Sequence, residues 1–187
     1  MESTYSNKMF AIKRDGKKQN MQFDKITKRN EKLCNDLNVN PVKLSQKVIE
    51  SIYSGITTTQ LDELSAETAL YMSSYEPEYE ILAKRIVISN LHKTTDHKFS
   101  NSCINLEKLG LLNQDYYSFV MENKDYLDSI VNHDRDYDTT YFGFKTLEKA
   151  YLNKDVDGKL IERPQHMWLR VATFIRMPDL EKIKEVY

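Results

Sequence analysis

The stretch AIKRDGKKQNMQFDK, residues 11–25, is the one around which the N-terminal half of the chain is organised. It places Asp15-Gly16 between the apolar run Phe10-Ala11-Ile12 and residues 21–23. This pattern is typical of a β-hairpin with a tip of two residues or slightly more. Asp24 follows with the side chain of a helix N-cap. The sequence therefore predicts a hairpin that runs directly into a helix.

Cations are concentrated in the same region. Residues 1–30 contain eight Lys and Arg against three acids, whereas the whole chain of 187 residues has a net charge of -1. The whole chain is therefore not expected to bind nucleic acid through its charge, but the local excess indicates an anionic partner. A basic hairpin beside a helix N-terminus suits a polyphosphate. A solvated basic hairpin explains the same residues, and the residues alone leave both interpretations open.

Bulk composition excludes several classes of protein. Hydrophobic residues are 40% and charged residues 29%, values typical of soluble chains with one large domain or two small ones. Cys34 and Cys103 form no metal-ligand pattern, which favours a reduced intracellular chain. The start MESTYSNKMF has no apolar segment, and no apolar run approaches the roughly 20 residues that span a bilayer. We therefore expect no signal peptide, no membrane and a cytoplasmic location.

Helical signals follow the hairpin. The first helix is predicted to reach about residue 37. Asn40-Pro41 has the form of an N-cap and N1 pair, and Ser54-Gly55 ends the second helix. Thr59-x-x-Asp62 has the form of a capping box, so a third helix is predicted over about 60–74. A fourth begins at Glu76-Pro77 and ends within 92–95; its inner face is Tyr79, Leu82, Ala83, Ile86, Val87, Asn90 and Leu91.

A boundary is predicted at residues 94–97. Beyond it, short helices are expected within 116–131, a helix over 141–152, a turn over 153–159 and a helix over 164–176. A last helix is expected from Met177-Pro178. The predicted fold class is mainly α: a β-hairpin capping a four-helix domain at 9–95, followed by a mostly helical segment at 98–187.

Some side chains suggest binding chemistry. Adjacent Lys13 and Arg14 would point to opposite faces of a strand. Lys25 in the first helical turn opposes the helix dipole, a conflict that a bound anion would remove. Thr58 and Thr59 begin another helix and offer hydroxyl groups. His92 and Lys93 end the fourth helix, where a positive charge interacts favourably with the helix dipole. On the residues alone, a C-terminal cap is therefore the preferred explanation for them.

Residues 133–138 contain His133, Asp136 and other acids, which suggests either a metal site or an ion-pair cluster. No second His or Cys stands at ligand spacing, so an ion-pair cluster is preferred and no metal is expected. Polar packing or an interface is suggested by the group Arg163, Gln165, His166 and Arg170. Trp168 is expected at a core position. No catalytic constellation stands out, and the absence of a Walker A motif argues against ATP hydrolysis.

Five segments together resemble one family. They match, in order and spacing, the N-terminal part of the large subunit of class I ribonucleotide reductase, of the eukaryotic and viral type. The segments are IKRDGKKQNMQFDKI, YSGITTTQLDELSAETA, ILAKRIVISNLHK, HDRDYDTTYFGFKTLEKAYL and ERPQHMWLRVA. The resemblance implies an ATP-cone domain at 9–95, followed at 98–187 by the helical N-terminal region of the large subunit. In this family the cone is an allosteric site: ATP activates and dATP drives an inhibited oligomer.

The resemblance also implies the residues of the nucleotide site, with Mg²⁺ accompanying the nucleotide. Asp62 matches the family's position that distinguishes ATP from dATP. Asp24 matches a position that the family associates with the inhibited assembly. Gln19 departs from the Glu that is common in the family; its amide donates as well as accepts, which puts adenine recognition in doubt. The implied site consists of Lys13, Arg14, Gln19, Asn20, Met21, Gln22, Phe23, Asp24, Lys25, Thr58, Asp62, His92 and Lys93.

The chain ends before the family's catalytic barrel and has no counterpart of its catalytic cysteines, so it is not expected to reduce ribonucleotides alone. A fragment, a split-gene product and a free-standing regulator all stay open. The implied function is allosteric control of deoxyribonucleotide synthesis. The implied partners are the rest of the large subunit or a second chain supplying it, the small subunit and further copies of the cone.

Two alternatives to nucleotide regulation stay open. One is an interaction module whose cone no longer binds nucleotide. The other is an ATP-cone transcriptional regulator. Such regulators carry a zinc ribbon before the cone, and the eight residues before Met9 contain no Cys, so this second alternative is disfavoured.

Overall fold

The structure, a computed structural model, describes residues 9–187. The expectation that the chain begins without a signal peptide concerns residues outside this range. The chain divides into two compact units, the first ending at Asn90 and the second beginning at Leu91. Both are mostly helical, so the predicted fold class is confirmed. Within residues 9–187, no helix is long and apolar enough to cross a membrane.

The first unit contains a three-stranded sheet. Strands β1 (Phe10–Ile12) and β2 (Lys18–Asn20) form the predicted hairpin, with Ala11 opposite Gln19. A short strand β3 (Ile56–Thr57) pairs in parallel with β1, so the order is β2-β1-β3. The sequence analysis missed β3, because two residues are too few to show an alternating pattern.

The hairpin tip is longer than two residues. Lys13 N–H donates to the Lys17 carbonyl oxygen at 2.9 Å, and Gly16 N–H donates to the Lys13 carbonyl oxygen at 2.9 Å. Gly16 has φ 78°, a left-handed conformation that costs glycine little. This is a three-residue loop closed by a glycine bulge. Lys13 and Arg14 therefore lie on the tip and not in a strand, so the prediction that they alternate between two faces is wrong.

Four helices accompany the sheet. They are α1 (Phe23–Leu33), α2 (Pro41–Glu50), α3 (Thr58–Met72) and α4 (Glu78–Thr94), the last of which continues into the second unit. Helix α1 packs against α2, and α2 against α3. Buried apolar side chains on these elements and β3 form the core: Ile26, Leu44, Val48, Ile56, Ala66, Ala69 and Met72.

Helix starts were predicted with mixed success. Asn40 caps α2 by accepting from Lys43 N–H, with Pro41 at the first helical position, as predicted. The capping box of α3, however, is formed by Thr57 and Gln60. The prediction of Thr59 with Asp62 is wrong by two residues, because pairing of β3 with β1 decides where the strand ends. Asp24 is also not an N-cap: it lies inside the first turn of α1.

The second unit is helical. It contains α5 (Phe99–Lys108), α6 (Gln114–Glu122), α7 (Lys124–Ile130), a 3-10 helix (His133–Asp138), α8 (Tyr141–Ala150), α9 (Pro164–Arg176) and α10 (Leu180–Val186). Helix α9 has the predicted bounds. Helix α5 was missed because buried Ser100 and Ser102 interrupt its apolar pattern. The core comprises Phe99, Cys103, Tyr116, Val120, Leu127, Leu169 and Ile183.

Polar groups are also buried in this unit. Arg170 pairs with Glu162 at 2.9 Å, and Arg163 donates to the carbonyl oxygens of His92 and Thr95. These contacts confirm polar packing for this region. Trp168 was expected in the core but is 49% exposed, because α9 buries the face that carries Met167, Leu169 and Ala172.

The register of the α3 cap can be tested by substitution. Thr57→Ala removes the side-chain oxygen that accepts from Gln60 N–H, so the free energy of unfolding should fall by about 1 kcal/mol. Thr59→Ala is the matched control and should change stability little, because alanine suits a helix interior. Urea unfolding of both variants measures the difference, and a larger loss in Thr59→Ala would restore the capping box predicted from sequence.

His166 is a buried histidine that must be neutral. It has no exposed surface, and its Nδ1 lies 2.8 Å from Ser102 Oγ. Burial, reinforced by the neighbouring His133 and the guanidinium of Arg163, lowers the pKa of His166 to about 3. The unfolded chain, in which His titrates near 6.5, therefore binds an additional proton below that pH.

Stability should consequently fall as the pH drops below about 6.5. At pH 5 the contribution of His166 amounts to a loss of about 2 kcal/mol relative to pH 7.5, since each unit of pH costs about 1.4 kcal/mol. His166→Asn should reduce this pH dependence, whereas His97→Asn, at a residue whose side chain is 74% exposed, should retain it. Urea unfolding between pH 7.5 and 5 checks the slope, and equal slopes in both variants would contradict it.

Candidate functional site

A pocket of about 190 Å³ lies in the first unit, under the hairpin. The hairpin, the first two turns of α1 and the first two turns of α3 surround it. Its lining residues are Ala11, Lys13, Arg14, Gln19, Asn20, Met21, Gln22, Lys25, Ile26, Arg29, Thr58, Leu61, Asp62 and Ser65. Residues 11–25 thus supply eight of the fourteen lining residues.

A buried carboxylate joins three elements at this pocket. Asp62 of α3 has a side chain only 5% exposed; its Oδ2 lies 2.9 Å from Arg14 Nη2 and its Oδ1 lies 2.6 Å from Arg29 Nη1. Each carboxylate oxygen therefore has a guanidinium partner, in a charge-assisted contact. Arg14 Nη2 also donates to Asn90 Oδ1 at 2.6 Å. These contacts hold the hairpin tip, α1 and α3 together and orient both arginines.

The lining is strongly cationic. Lys13, Arg14, Lys25 and Arg29 line the pocket together with a single carboxylate, that of Asp62, which leaves an excess of three positive charges. Helix α1 begins here without a side-chain N-cap bond from Gln22. Thr58, the first residue of α3, lies at the same pocket. Helix N-termini present backbone N–H groups to anions, so the pocket suits a polyanion.

Part of the remaining lining is apolar. Ala11, Met21, Ile26 and Leu61 offer hydrocarbon surface next to the amide groups of the hairpin. A flat heterocycle can bury its faces on such surface and bond at its edge to an amide such as that of Gln19. Because both oxygens of Asp62 contact guanidinium groups, the pocket offers binding groups and not an available general base. It suits a ligand with a planar ring and a polyphosphate.

Nine of the thirteen residues in the implied site line this pocket, and the other four are not among its lining residues. Phe23 and Asp24 lie exposed in the first turn of α1. His92 and Lys93 belong to the second unit, where His92 Nε2 lies 2.7 Å from Asp136 Oδ2. Burial acts to raise the pKa of Asp136, but its interactions with the neighbouring His133 and His92 outweigh burial and lower the pKa below its ordinary value.

One charged residue of the pocket, Arg29, was not predicted from the sequence. It was counted in the basic excess of the N-terminus but was not assigned to the site. Its signal was its spacing: Arg29 follows Lys25 by one helical turn, which places both on one face of α1. Ile26 shares that face and supplies part of the apolar surface.

Comparisons with known proteins agree with this architecture. The profile of the ATP cone domain matches residues 9–94, and that of the ribonucleotide reductase all-alpha domain matches residues 137–187. The hairpin, its four helices and the cationic pocket thus define the class of protein: one that carries an ATP cone. The chain belongs to the ribonucleotide reductase large-subunit family, whose N-terminal region it represents.

Relatives from fungi and viruses show the extent of the match. The ribonucleoside-diphosphate reductase large chain of Neurospora crassa is 47% identical over 96% of this chain and 20% of its own length. The ribonucleoside-diphosphate reductase large chain 2 of Saccharomyces cerevisiae is 45% identical over 96% of this chain and 22% of its own length. The large subunit of Vaccinia virus is 45% identical over 96% of this chain and 25% of its own length. The chain therefore spans about a fifth to a quarter of these curated relatives.

The ion pair of Arg29 with Asp62 should contribute to stability. A double-mutant cycle of Arg29→Ala and Asp62→Ala is expected to give a coupling free energy of about 1–2 kcal/mol, because one partner is nearly buried and the other is a quarter exposed. The control cycle uses Lys182 and Asp179, whose side chains are 62% and 42% exposed. Their coupling should be much smaller. Equal couplings in urea unfolding would contradict the structural role of Asp62.

Proposed function

We propose that the pocket under the hairpin binds ATP or dATP, and that the chain is the N-terminal regulatory part of a ribonucleoside-diphosphate reductase large subunit. One observation carries the proposal: four cations and one buried carboxylate line a pocket that also offers apolar surface, and two of the cations contact that carboxylate. This pocket lies in the segment that matches the ATP cone domain. The role is binding without chemistry on the nucleotide.

The phosphates are assigned to the cationic lining residues. Lys13 and Lys25 act as flexible point charges, while Arg14 and Arg29 are already oriented by Asp62. The first turns of α1 and α3 add backbone N–H donors. The excess of three positive charges only partly neutralises a triphosphate, which accords with a Mg²⁺ ion bound to the phosphates. Lys93 remains a proposed phosphate contact on the basis of the resemblance alone, and so does His92 through its Nδ1 atom, because its Nε2 atom faces Asp136.

The adenine is assigned to the apolar surface of Ile26 and Leu61. Gln19 lies at this pocket and offers both an acceptor and a donor to the edge of the base. Asp62 is the proposed discriminator between the two nucleotides. A carboxylate has about four acceptor positions, so Asp62 can accept a hydrogen bond from the 2′-hydroxyl of ATP in addition to its two arginines. dATP cannot supply that bond.

Regulation then follows from linkage. Each nucleotide shifts an equilibrium between two arrangements only by its differential affinity for them. The proposed arrangements are an active enzyme and an inhibited oligomer assembled through the cone, with exposed Asp24 as a contact between copies. The activity so controlled would be that of the complete large subunit with its small subunit.

A second candidate is an interaction module whose cone no longer binds nucleotide. The observation that favours it is Gln19, which stands where the family often has Glu. The two candidates differ in a direct measurement, because only the first requires nucleotide to bind this chain.

Calorimetric titration with ATP and with dATP, each with Mg²⁺, tests the proposal. We expect saturable binding of both. Lys13→Ala and Arg29→Ala should each weaken binding by at least about tenfold, since a charge-assisted contact contributes about 1.5–3 kcal/mol. Lys17→Ala is the matched control: Lys17 is on the same hairpin tip, 80% exposed, paired with Asp15 and outside the pocket lining, so binding should change less than about threefold.

Two further variants test recognition in the same assay. Asp62→Asn should reduce the preference for one nucleotide over the other, because a neutral amide is a weaker acceptor for the 2′-hydroxyl. Gln19→Glu should alter the affinity for both nucleotides in parallel, since both carry the same base. Absence of heat with either nucleotide at millimolar concentration would overturn the nucleotide site and favour the interaction module.

A further inference from the structure

Three side chains of the second unit converge on one point. His92 lies near the end of α4, and His133 and Asp136 belong to the 3-10 helix. His92 Nε2 is 2.7 Å and His133 Nδ1 is 3.8 Å from Asp136 Oδ2. One ligand atom from each residue can be chosen so that all three lie within 4.8 Å of one another. Asp136 is buried, with 1% of its surface exposed.

The orientation of His133 is defined by its other nitrogen. Its Nε2 lies 2.7 Å from the carbonyl oxygen of His97. A carbonyl only accepts, so Nε2 carries the hydrogen and Nδ1 of the neutral ring has a free lone pair. That Nδ1 atom is buried and has no hydrogen-bond partner within residues 9–187. A buried lone pair that faces a carboxylate oxygen is unfavourable unless a proton or a metal cation lies between them.

The carboxylate is held in place by a second contact. Gln165 N–H donates to Asp136 Oδ1 at 3.1 Å, which leaves Oδ2 directed at the two histidines. The nearby cation Arg163 makes its hydrogen bonds to His92 O, Thr95 O and Thr95 Oγ1. Outer contacts of this kind, a carbonyl behind a histidine and an amide behind a carboxylate, are those that orient metal ligands in proteins.

We propose that His92, His133 and Asp136 form a binding site for a divalent transition-metal ion, for which Zn²⁺ is the best match. Two imidazole nitrogens and one carboxylate oxygen suit Zn²⁺, with water as a fourth ligand. Tetrahedral zinc with bonds of about 2.0–2.2 Å holds its ligand atoms about 3.3 Å apart. The observed distances of 2.7 and 3.8 Å from Asp136 Oδ2 lie on either side of that value, and all three ligand atoms lie within 4.8 Å of one another.

Binding replaces one hydrogen bond with three metal contacts. In the metal-bound form His92 carries its ring proton on Nδ1, so that Nε2 can bind the ion in place of donating to Asp136. An ion-pair cluster was predicted here because no second histidine stands at ligand spacing in the sequence. In the fold, His92 from a distant part of the chain is that second histidine. The proposal does not depend on nucleotide binding in the first unit.

The test is titration of the full chain with Zn²⁺ after dialysis against a chelator. We expect one Zn²⁺ per chain, measured by calorimetry and by competition with a chromogenic chelator. His92→Ala and His133→Ala should each weaken binding on the order of 100-fold, at least as much as loss of an outer-shell partner. His97→Ala is the matched control, because the side chain of His97 is 74% exposed and only its backbone contacts His133. It should bind as the unaltered chain does.

Two additional readouts separate loss of a ligand from loss of the fold. Asp136→Asn keeps the side-chain shape while removing the charge, and circular dichroism reports whether it remains folded. Zn²⁺ should raise the melting temperature of the unaltered chain but not that of this variant. Co²⁺ bound to the unaltered chain should show no thiolate charge-transfer band, which excludes Cys34 and Cys103 as ligands. No saturable Zn²⁺ binding to the folded chain, or binding that persists in both His133→Ala and Asp136→Asn, would overturn the proposal.

Discussion

The first unit depends on the buried carboxylate of Asp62. An ionised carboxylate removed from water is costly unless it is paired, and here each oxygen contacts a guanidinium, one from the hairpin tip and one from α1. These two contacts define how α3, α1 and the hairpin meet. They also hold Arg14 and Arg29 in the orientation that the pocket presents, so less conformational entropy is lost when an anion binds.

The same arrangement underlies the proposal that the pocket both attracts nucleotides and discriminates between them. Four cations against one carboxylate leave a net positive lining that favours phosphate groups, and the two helix starts reinforce it through their backbone N–H groups. The carboxylate itself is the one lining group that accepts strongly, and therefore the one suited to sense a ribose hydroxyl. Its structural role and its proposed recognition role are inseparable, which is why stability and binding must be measured together in variants of Asp62.

The second unit also has a polar interior, built by different means. Two buried carboxylates lie in this interior: Glu162, which pairs with Arg170, and Asp136, which faces two histidines. The cost of burying each carboxylate is offset because the surrounding helices hold its partners in place. His166 belongs to the same interior as an uncharged side chain. The cluster of His92, His133 and Asp136 has the ligands and the outer contacts of the proposed metal site.

The sequence by itself determined what depends on neighbouring residues: the Asp15-Gly16 hairpin, the Asn40 cap, the bounds of α9 and the basic excess near the N-terminus. These follow from turn chemistry, helix capping and a 3.6-residue period, all of which act locally. Only the tertiary structure decided that β3 pairs with β1 and moves the α3 cap to Thr57, that Arg29 joins Asp62, and that His92 meets His133. Each of these joins residues far apart in the chain, and local periodicity carries no information about which distant side chains will face one another.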